Sequence, residues 1–411
     1  MTSEEALRTA YPPPTRGRVV VTGFLASMPF GGMTWQVLHH LAGFRRLGFD
    51  VWYVEEFEGV SLSPQTAEYS ADLEENVGYL ERQLARIEMQ DRWIYKFPHE
   101  DRYARGSDRE LGELYRTADA VVDVCGGQSL GHNGREIRRA VMLETDPVAW
   151  QVWVADGDAG TIEALSRYDL HFTYGENLGL SDCRVPVEQF DWKPTRPPVI
   201  VDWWAGAGVS NHALTTVTSW KQTGREVVLD GRLLLWSKRE EWLRFAEVAR
   251  ASSMPLELCA QHLLDEDIRW TQKTNRMMRD DASTMAENGW RIVSAHGMRS
   301  PEDYRAYIRG SAGEFSISKE QVVIPRTGWF SDRSASYLAA GRPVITQETG
   351  FSKFIPTGEG LLSFSNVDEA RAAIEDVSSD YERHAKAATE IAHEYFDSSK
   401  MLESVVERWG A

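Results

Sequence analysis

The stretch from Gly313 to Ser365 constrains this chain most, because short apolar runs alternate there with glycine-bearing loops and one compact helical segment. Glu314–Ser318 is a β-type run, and Thr327-Gly328 marks the loop that follows. Ser331-Asp332-Arg333-Ser334 heads a helix running to Ala340, and Pro343–Thr346 is the next β-type run. Gln347-Glu348-Thr349-Gly350 closes that run, and Gly360-Leu361-Leu362 opens another. Strand, loop, helix, strand, loop, strand in succession points to a parallel α/β sheet, since parallel neighbours need a crossover. Such sheets put their strand-to-helix turns on one edge, where ligands bind and helix N-termini favour anions.

The same phrase recurs in the first half. Residues 18–24 (RVVVTGF) read as a strand, the following loop carries Gly31 and Gly32, and a helix is expected from about Trp35 to Leu47. Gly48-Phe49-Asp50 stops it and Val51–Val54 begins a second strand, completing a βαβ unit. Ala120–Cys125, Val141–Glu144 and His171–Tyr174 are further β-type runs, each ending in glycine or polar residues. Gln65–Ile87 reads as a polar helix on the surface or acceptor side. Trp192–Pro198 holds three prolines and reads as a linker, since proline continues neither a helix nor a central strand. The second half restarts at Leu214–Thr218. VVLDGRLLL predicts a hairpin turning at Asp230-Gly231, Leu256–Cys259 and Arg291–Ser294 are further strands, and Tyr381–Trp409 reads as helical throughout. The expected organisation is a flexible segment (1–17), a Rossmann-like domain (18–191), a proline-rich linker (192–199), a second Rossmann-like domain (200–380) and C-terminal helices (381–411).

Charge narrows the partners. The formal net charge is −17, which repels phosphate backbones and argues against nucleic acid as a partner, while leaving room for one small basic pocket. The N-terminal sequence has acidic residues and no apolar core, and no apolar run reaches the length of a membrane span, so a cytoplasmic location is expected. Cys125, Cys183 and Cys259 are far apart and form no CxxC, which predicts reduced thiols. The glycines before the first helix do not form GxGxxG, which argues against NAD or FAD. The histidines show no ligand spacing, and Asp156-Gly157-Asp158 sits in a turn-like sequence, so no metal site is expected.

The late segment resembles the nucleotide-sugar half of GT-B glycosyltransferases, in which a helix ends in Ala-x-Gly-x-Pro-Val-(Val/Ile) before a glycine loop and Gly-Leu-Leu. Here the run is Leu338-Ala339-Ala340-Gly341-Arg342-Pro343-Val344-Ile345, followed by Gly350 and Gly360-Leu361-Leu362. It is also similar to the group 1 and spore-maturation types of glycosyltransferase. The resemblance implies two Rossmann-like domains facing across a cleft, with a terminal helix crossing back to the first. It implies a metal-independent enzyme moving a sugar from a UDP- or dTDP-linked donor, used as co-substrate with no further cofactor. A soluble acceptor such as a natural product or nucleoside suits the acidic surface. A nucleotide-sugar 2-epimerase of the same architecture, or a non-catalytic nucleotide-sugar binder, are the alternatives.

Candidate site residues follow from chemistry and resemblance together. Pro29-Phe30-Gly31-Gly32 is similar to a GT-B entry loop, which faces the cleft and would touch the donor phosphate or the acceptor; Gly31 and Gly32 are taken as donor-binding candidates. Lys238, Lys319 and Arg326 are candidate cations for a leaving diphosphate, Lys319 following Ser318 at a strand end. Ser331, Asp332 and Arg333 would present a helix N-terminus to phosphate, and Gln347 and Glu348 would hold sugar hydroxyls. An inverting transfer needs a base to take the acceptor proton, and Asp146, His132, Glu176 and Glu144 are candidates; a retaining transfer needs none. Many retaining GT-B enzymes carry two glutamates eight positions apart; here those places hold Gly328 and Ser336. Trp220 and Trp329 are candidates for stacking on a sugar or base.

Overall fold

The computed structural model describes residues 7, 11–66, 68–70, 72–128, 130, 135–206, 208–261, 263–264, 271–298 and 300–409. Among these residues, sixteen strands form two large sheets and one hairpin. The first sheet contains β1 (Arg18–Thr22), β2 (Asp50–Glu55), β3 (Trp93–Lys96), β4 (Tyr103–Arg105), β5 (Ala120–Val124), β6 (Ala140–Glu144), β7 (Leu170–Thr173) and β8 (Trp192–Pro194). Its order is β4-β3-β2-β1-β5-β6-β7-β8, parallel except for the β3–β4 pair. The hairpin is β10 (Val227–Leu229) with β11 (Arg232–Leu234). Asp230 (φ 51°) and Gly231 (φ 74°) make its two-residue turn, both residues left-handed as a tight hairpin requires. The second sheet contains β9 (Asn211–Ser219), β12 (Leu256–Gln261), β13 (Arg291–Ser294), β14 (Ser311–Ser316), β15 (Val344–Gln347) and β16 (Leu361–Phe364), all parallel, in the order β13-β12-β9-β14-β15-β16. These are two Rossmann-like domains.

The central strands are buried on both faces, which is why they read as continuous apolar runs such as VVVT and AVVDV. Several elements depart from the sequence expectation. The first helix starts at Gly31, not near Trp35, so the glycine pair is its first turn rather than a preceding loop. Among the described residues of 65–87, helix is confined to Leu73–Ala85, begun by an Asp72 cap on Glu74 N–H. The proline-rich linker opens as edge strand β8, where a proline costs the sheet little because one side lacks a partner. The C-terminal helix is broken between Tyr381–Tyr395 and Ser398–Glu407, because Asp397 caps a new helix on Ser399 N–H.

The last helices return to the first domain. Trp409 packs on Phe44 (ring centroids 5.7 Å apart), and Val199 pairs with Asp397. One apolar cluster runs through both domains behind the cleft. At its centre Trp35 packs against Trp204 (5.3 Å) and Trp203 (5.9 Å), and Trp35 Nε1–H donates to Pro301 O across the domain boundary (2.7 Å).

Candidate functional site

A cavity of about 380 Å³ lies between the domains. Its lining comes from segments that follow the C-terminal ends of parallel strands in both sheets: 29–36 after β1, Ser63-Pro64 after β2, and Thr145-Asp146 after β6. The second domain adds 217–222 at the end of β9, Gln261 at the end of β12, Lys319 after β14 and the 329–333 turn. This is the rim where open parallel sheets hold ligands.

The second-domain wall is cationic. Lys238 is 7% exposed and lines the cavity, yet its Nζ has no hydrogen-bond or ion-pair partner among the described residues. Burial, reinforced by Arg333 and Lys319, holds its pKa well below the usual lysine range. Lys319 Nζ donates to Asp146 Oδ2 (2.6 Å) and lies 4.5 Å from the Trp236 ring centroid. Arg333 is buried and braced from three sides: Nε donates to Glu314 Oε1 (2.5 Å), Nη2 to Ser316 Oγ (2.6 Å) and Nη1 to Val217 O (2.9 Å). Burial opposes the Arg333 charge, but the adjoining Glu314 carboxylate more than offsets this and raises the guanidinium pKa.

Ser331 caps the Asp332–Ala339 helix, its Oγ accepting from Arg333 N–H (3.2 Å). Asp332 lines the cavity as well as a small void beneath it, bounded by Gly32, Trp35 and Tyr174 of the first domain. Burial raises its carboxyl pKa against the pull of Arg333 and Lys238. Asp332 has no ion pair among the described residues.

The cavity therefore brings together Gly31, Gly32, Asp146, Lys238, Lys319, Ser331, Asp332 and Arg333. Gly31 does more than line it. A Cβ there would stand 2.6 Å from Tyr304 Cβ, so the bare backbone admits a second-domain tyrosine against the first turn of the first helix.

Other candidates lie elsewhere. Ser318 N–H donates to Gln347 Oε1 (3.0 Å) and Gln347 Nε2 donates to Glu241 Oε2 (2.6 Å), so this pair braces the second sheet outside the cavity lining. Glu348 accepts from Gly350 N–H, closing its own turn. Glu176 is held by Arg196 in a two-point ion pair (2.5 and 2.8 Å), away from the lining. Glu144 is buried against Gln151, and burial raises its pKa to about 7. Arg326 faces Asp182 (3.4 Å). His132 lies outside the described residues.

Asp146 is in the cavity but is occupied by Lys319 and by Trp236 Nε1–H (2.7 Å). Burial alone would raise its pKa, but Lys319 and Arg225 pull it below the usual carboxylate range, which suits an anchor better than a base. Trp220 is fully buried with Nε1–H on Asp281 (3.0 Å), whereas Trp329 lines the cavity and donates to Thr145 O (2.9 Å). Asp158 caps the Ala159–Leu165 helix on Thr161 N–H (2.7 Å), which accounts for half of Asp-Gly-Asp. No cluster of three His, Cys, Asp or Glu suited to a metal occurs among the described residues.

The absent glutamates have a steric counterpart. Gly328 is left-handed (φ 78°), and a Cβ on it would come 2.7 Å from Asn177 N. The first domain's 175–178 turn docks there, with Asn177 N–H on Thr327 O (2.8 Å) and Asn177 Nδ2 on Arg326 O (2.6 Å). Ser336 is buried on the helix, its Oγ donating to Asp332 O (3.0 Å). Sequence reasoning missed Tyr304, Trp236 and Glu314. A lone acid in the apolar β14 run was a usable signal for Glu314; Tyr304 and Trp236 gave none.

No family model and no curated protein matches this sequence. Solved structures do. An α-glucosyltransferase in complex with UDP and a 13-mer DNA containing an HMU base superposes with TM-score 0.57 at 12% identity, over 97% of this chain and 100% of that one. HepE of Anabaena with UDP and glucose gives 0.54 at 10% identity, over 96% and 100%. Sucrose-phosphate synthase of Thermosynechococcus elongatus gives 0.55 at 10% identity, over 96% and 99%. Two Rossmann-like sheets facing across a cleft, in an arrangement shared along nearly the whole length of these structures, give this chain the GT-B fold.

Proposed function

We propose that the chain is a glycosyltransferase that moves a sugar from a UDP- or dTDP-linked donor to a hydroxyl of a soluble small molecule. The observation that carries this reading is Lys238, a buried lysine whose Nζ has no partner among the described residues, facing a cavity in a protein of net charge −17. Burying an unpaired charge is costly, and a ligand anion would supply the missing partner. Lys319, Arg333 and the capped N-terminus of the Asp332–Ala339 helix converge on the same space, and together they suit a diphosphate. Structurally similar proteins bind UDP, which supports a nucleotide donor here.

In the reaction, the acceptor oxygen forms a bond to the anomeric carbon while the bond from that carbon to the diphosphate oxygen breaks. The electron pair leaves with the nucleotide diphosphate, and Lys238 and Lys319 stabilise the charge it gains. The acceptor proton passes to Asp332, whose raised pKa and lack of an ion pair suit a base better than Asp146 does. Cations rather than a metal neutralise the leaving group in this reading. The test is release of nucleotide diphosphate from a panel of UDP- and dTDP-sugars, with and without added alcohols and phenols. Asp332→Asn should bind UDP and turn over at least ~100-fold more slowly; undiminished turnover would remove Asp332 from the chemistry, and no turnover of any donor would remove the reading.

A further inference from the structure

The two walls of the cavity differ in chemistry, and the difference bears on the acceptor. On the first-domain side Pro29, Phe30, Gly31, Gly32, Met33 and Pro64 supply an apolar surface. The polar groups beside them are largely engaged. Ser63 Oγ donates to Glu75 Oε2 (3.1 Å), Gln36 Oε1 accepts from the Cys125 thiol (3.3 Å), and Asp146 is held by Lys319 and Trp236. Among the described residues, no lysine or arginine of the first domain lines the cavity; its cations all belong to the second.

A sugar chain would need hydrogen-bond partners for many hydroxyls, and burying them unpaired is costly. A nucleic acid would need cations along the acceptor side, which the lining lacks among the described residues and the net charge opposes.

We infer that the acceptor is an apolar ring compound bearing a hydroxyl, bound against the Pro29–Met33 turn and Pro64, and not a sugar chain or nucleic acid. This rests on the reading of the cavity as a sugar-transfer site. The donor half of the slot is polar and cationic, the acceptor half apolar, and the hydroxyl of such a compound is its only group that must reach the second domain.

The experiment titrates 2-naphthol, followed by its own fluorescence, into the protein saturated with UDP, with maltotriose and a short DNA duplex as competing probes. The expected result is saturable naphthol binding that Met33→Asp weakens by about tenfold or more and Met33→Leu restores, with circular dichroism unchanged. Naphthol binding indifferent to Met33→Asp overturns the inference, as does maltotriose or DNA binding more tightly than naphthol. UDP binding with no naphthol binding sinks this inference alone, whereas absence of UDP binding sinks the donor reading as well.

Discussion

Replacing Lys238 with methionine should make the protein more stable and a worse ligand binder. Methionine keeps the unbranched stem and removes the charge. Lys238 is 7% exposed, its Nζ has no partner among the described residues, and its charge is opposed by Arg333 and Lys319. Relieving the cost of burying that amine, whether met as an unpaired charge or as a released proton, should stabilise by about 1–3 kcal/mol, the range in which buried ionic groups yield to apolar ones of similar size. At roughly 2 cal/mol/K per residue, a chain of 411 residues has an unfolding entropy near ~0.9 kcal/mol/K, so Tm should rise by about 1–3 °C. A charge-assisted contact to a diphosphate is worth about 1.5–3 kcal/mol, so UDP affinity should fall by roughly 10- to 150-fold. Differential scanning calorimetry and isothermal titration read the two effects separately. The pH dependence has a definite sign. The folded pKa is depressed, so the unfolded chain holds a proton the folded chain releases, and stability gains with rising pH from the depressed value to about 10.5. Lys238→Met should lose that gain. A variant that melts lower and binds UDP unchanged would make Lys238 a structural residue and refute the reasoning.

Three further outcomes follow from buried groups. Glu144 is raised from 4.5 to about 7 by burial, so its contribution is fully present below pH 4.5 and is lost as pH rises through 7; this amounts to about 3 kcal/mol, and Glu144→Gln should flatten it in urea titrations at several pH values. Arg333→Met leaves Glu314 buried and unpaired and should cost about 3–5 kcal/mol in urea unfolding, with Glu314→Gln on the same chain restoring part of the loss. Gly31→Ala drives a methyl into Tyr304 and should cost about 1–3 kcal/mol; a double-mutant cycle with Tyr304→Ala should show coupling, and strict additivity would break the proposed contact.

Much of the fold was legible because its strands are buried on both faces and announce themselves as β-branched runs ending in glycine. The Asp230-Gly231 turn was legible for a local reason, since two adjacent left-handed residues favour that pair. Helix starts were harder to read. Gly31 looks like a loop residue, and the approach of Tyr304, distant in sequence, is what a side chain there would obstruct. The site was partly legible: Lys238, Lys319 and Ser331–Arg333 converge because each follows a strand end or heads a helix. Gln347 and Glu348 also follow a strand end, yet their side chains turn to Ser318, Glu241 and their own loop. Asp146 shows the limit of one-dimensional reading, since its state depends on Lys319, 173 residues away. Burial and pairing, which decide whether a carboxylate is a base or an anchor, are tertiary properties.

The central claim is that the second domain holds a nucleotide diphosphate in the cleft, and a crystal structure of the protein with UDP tests it most directly. The expected diphosphate lies within hydrogen-bond reach of Lys238 Nζ and of the first N–H groups of the Asp332–Ala339 helix. Nucleotide bound at any other place, with Lys238 still unpartnered, would contradict the account.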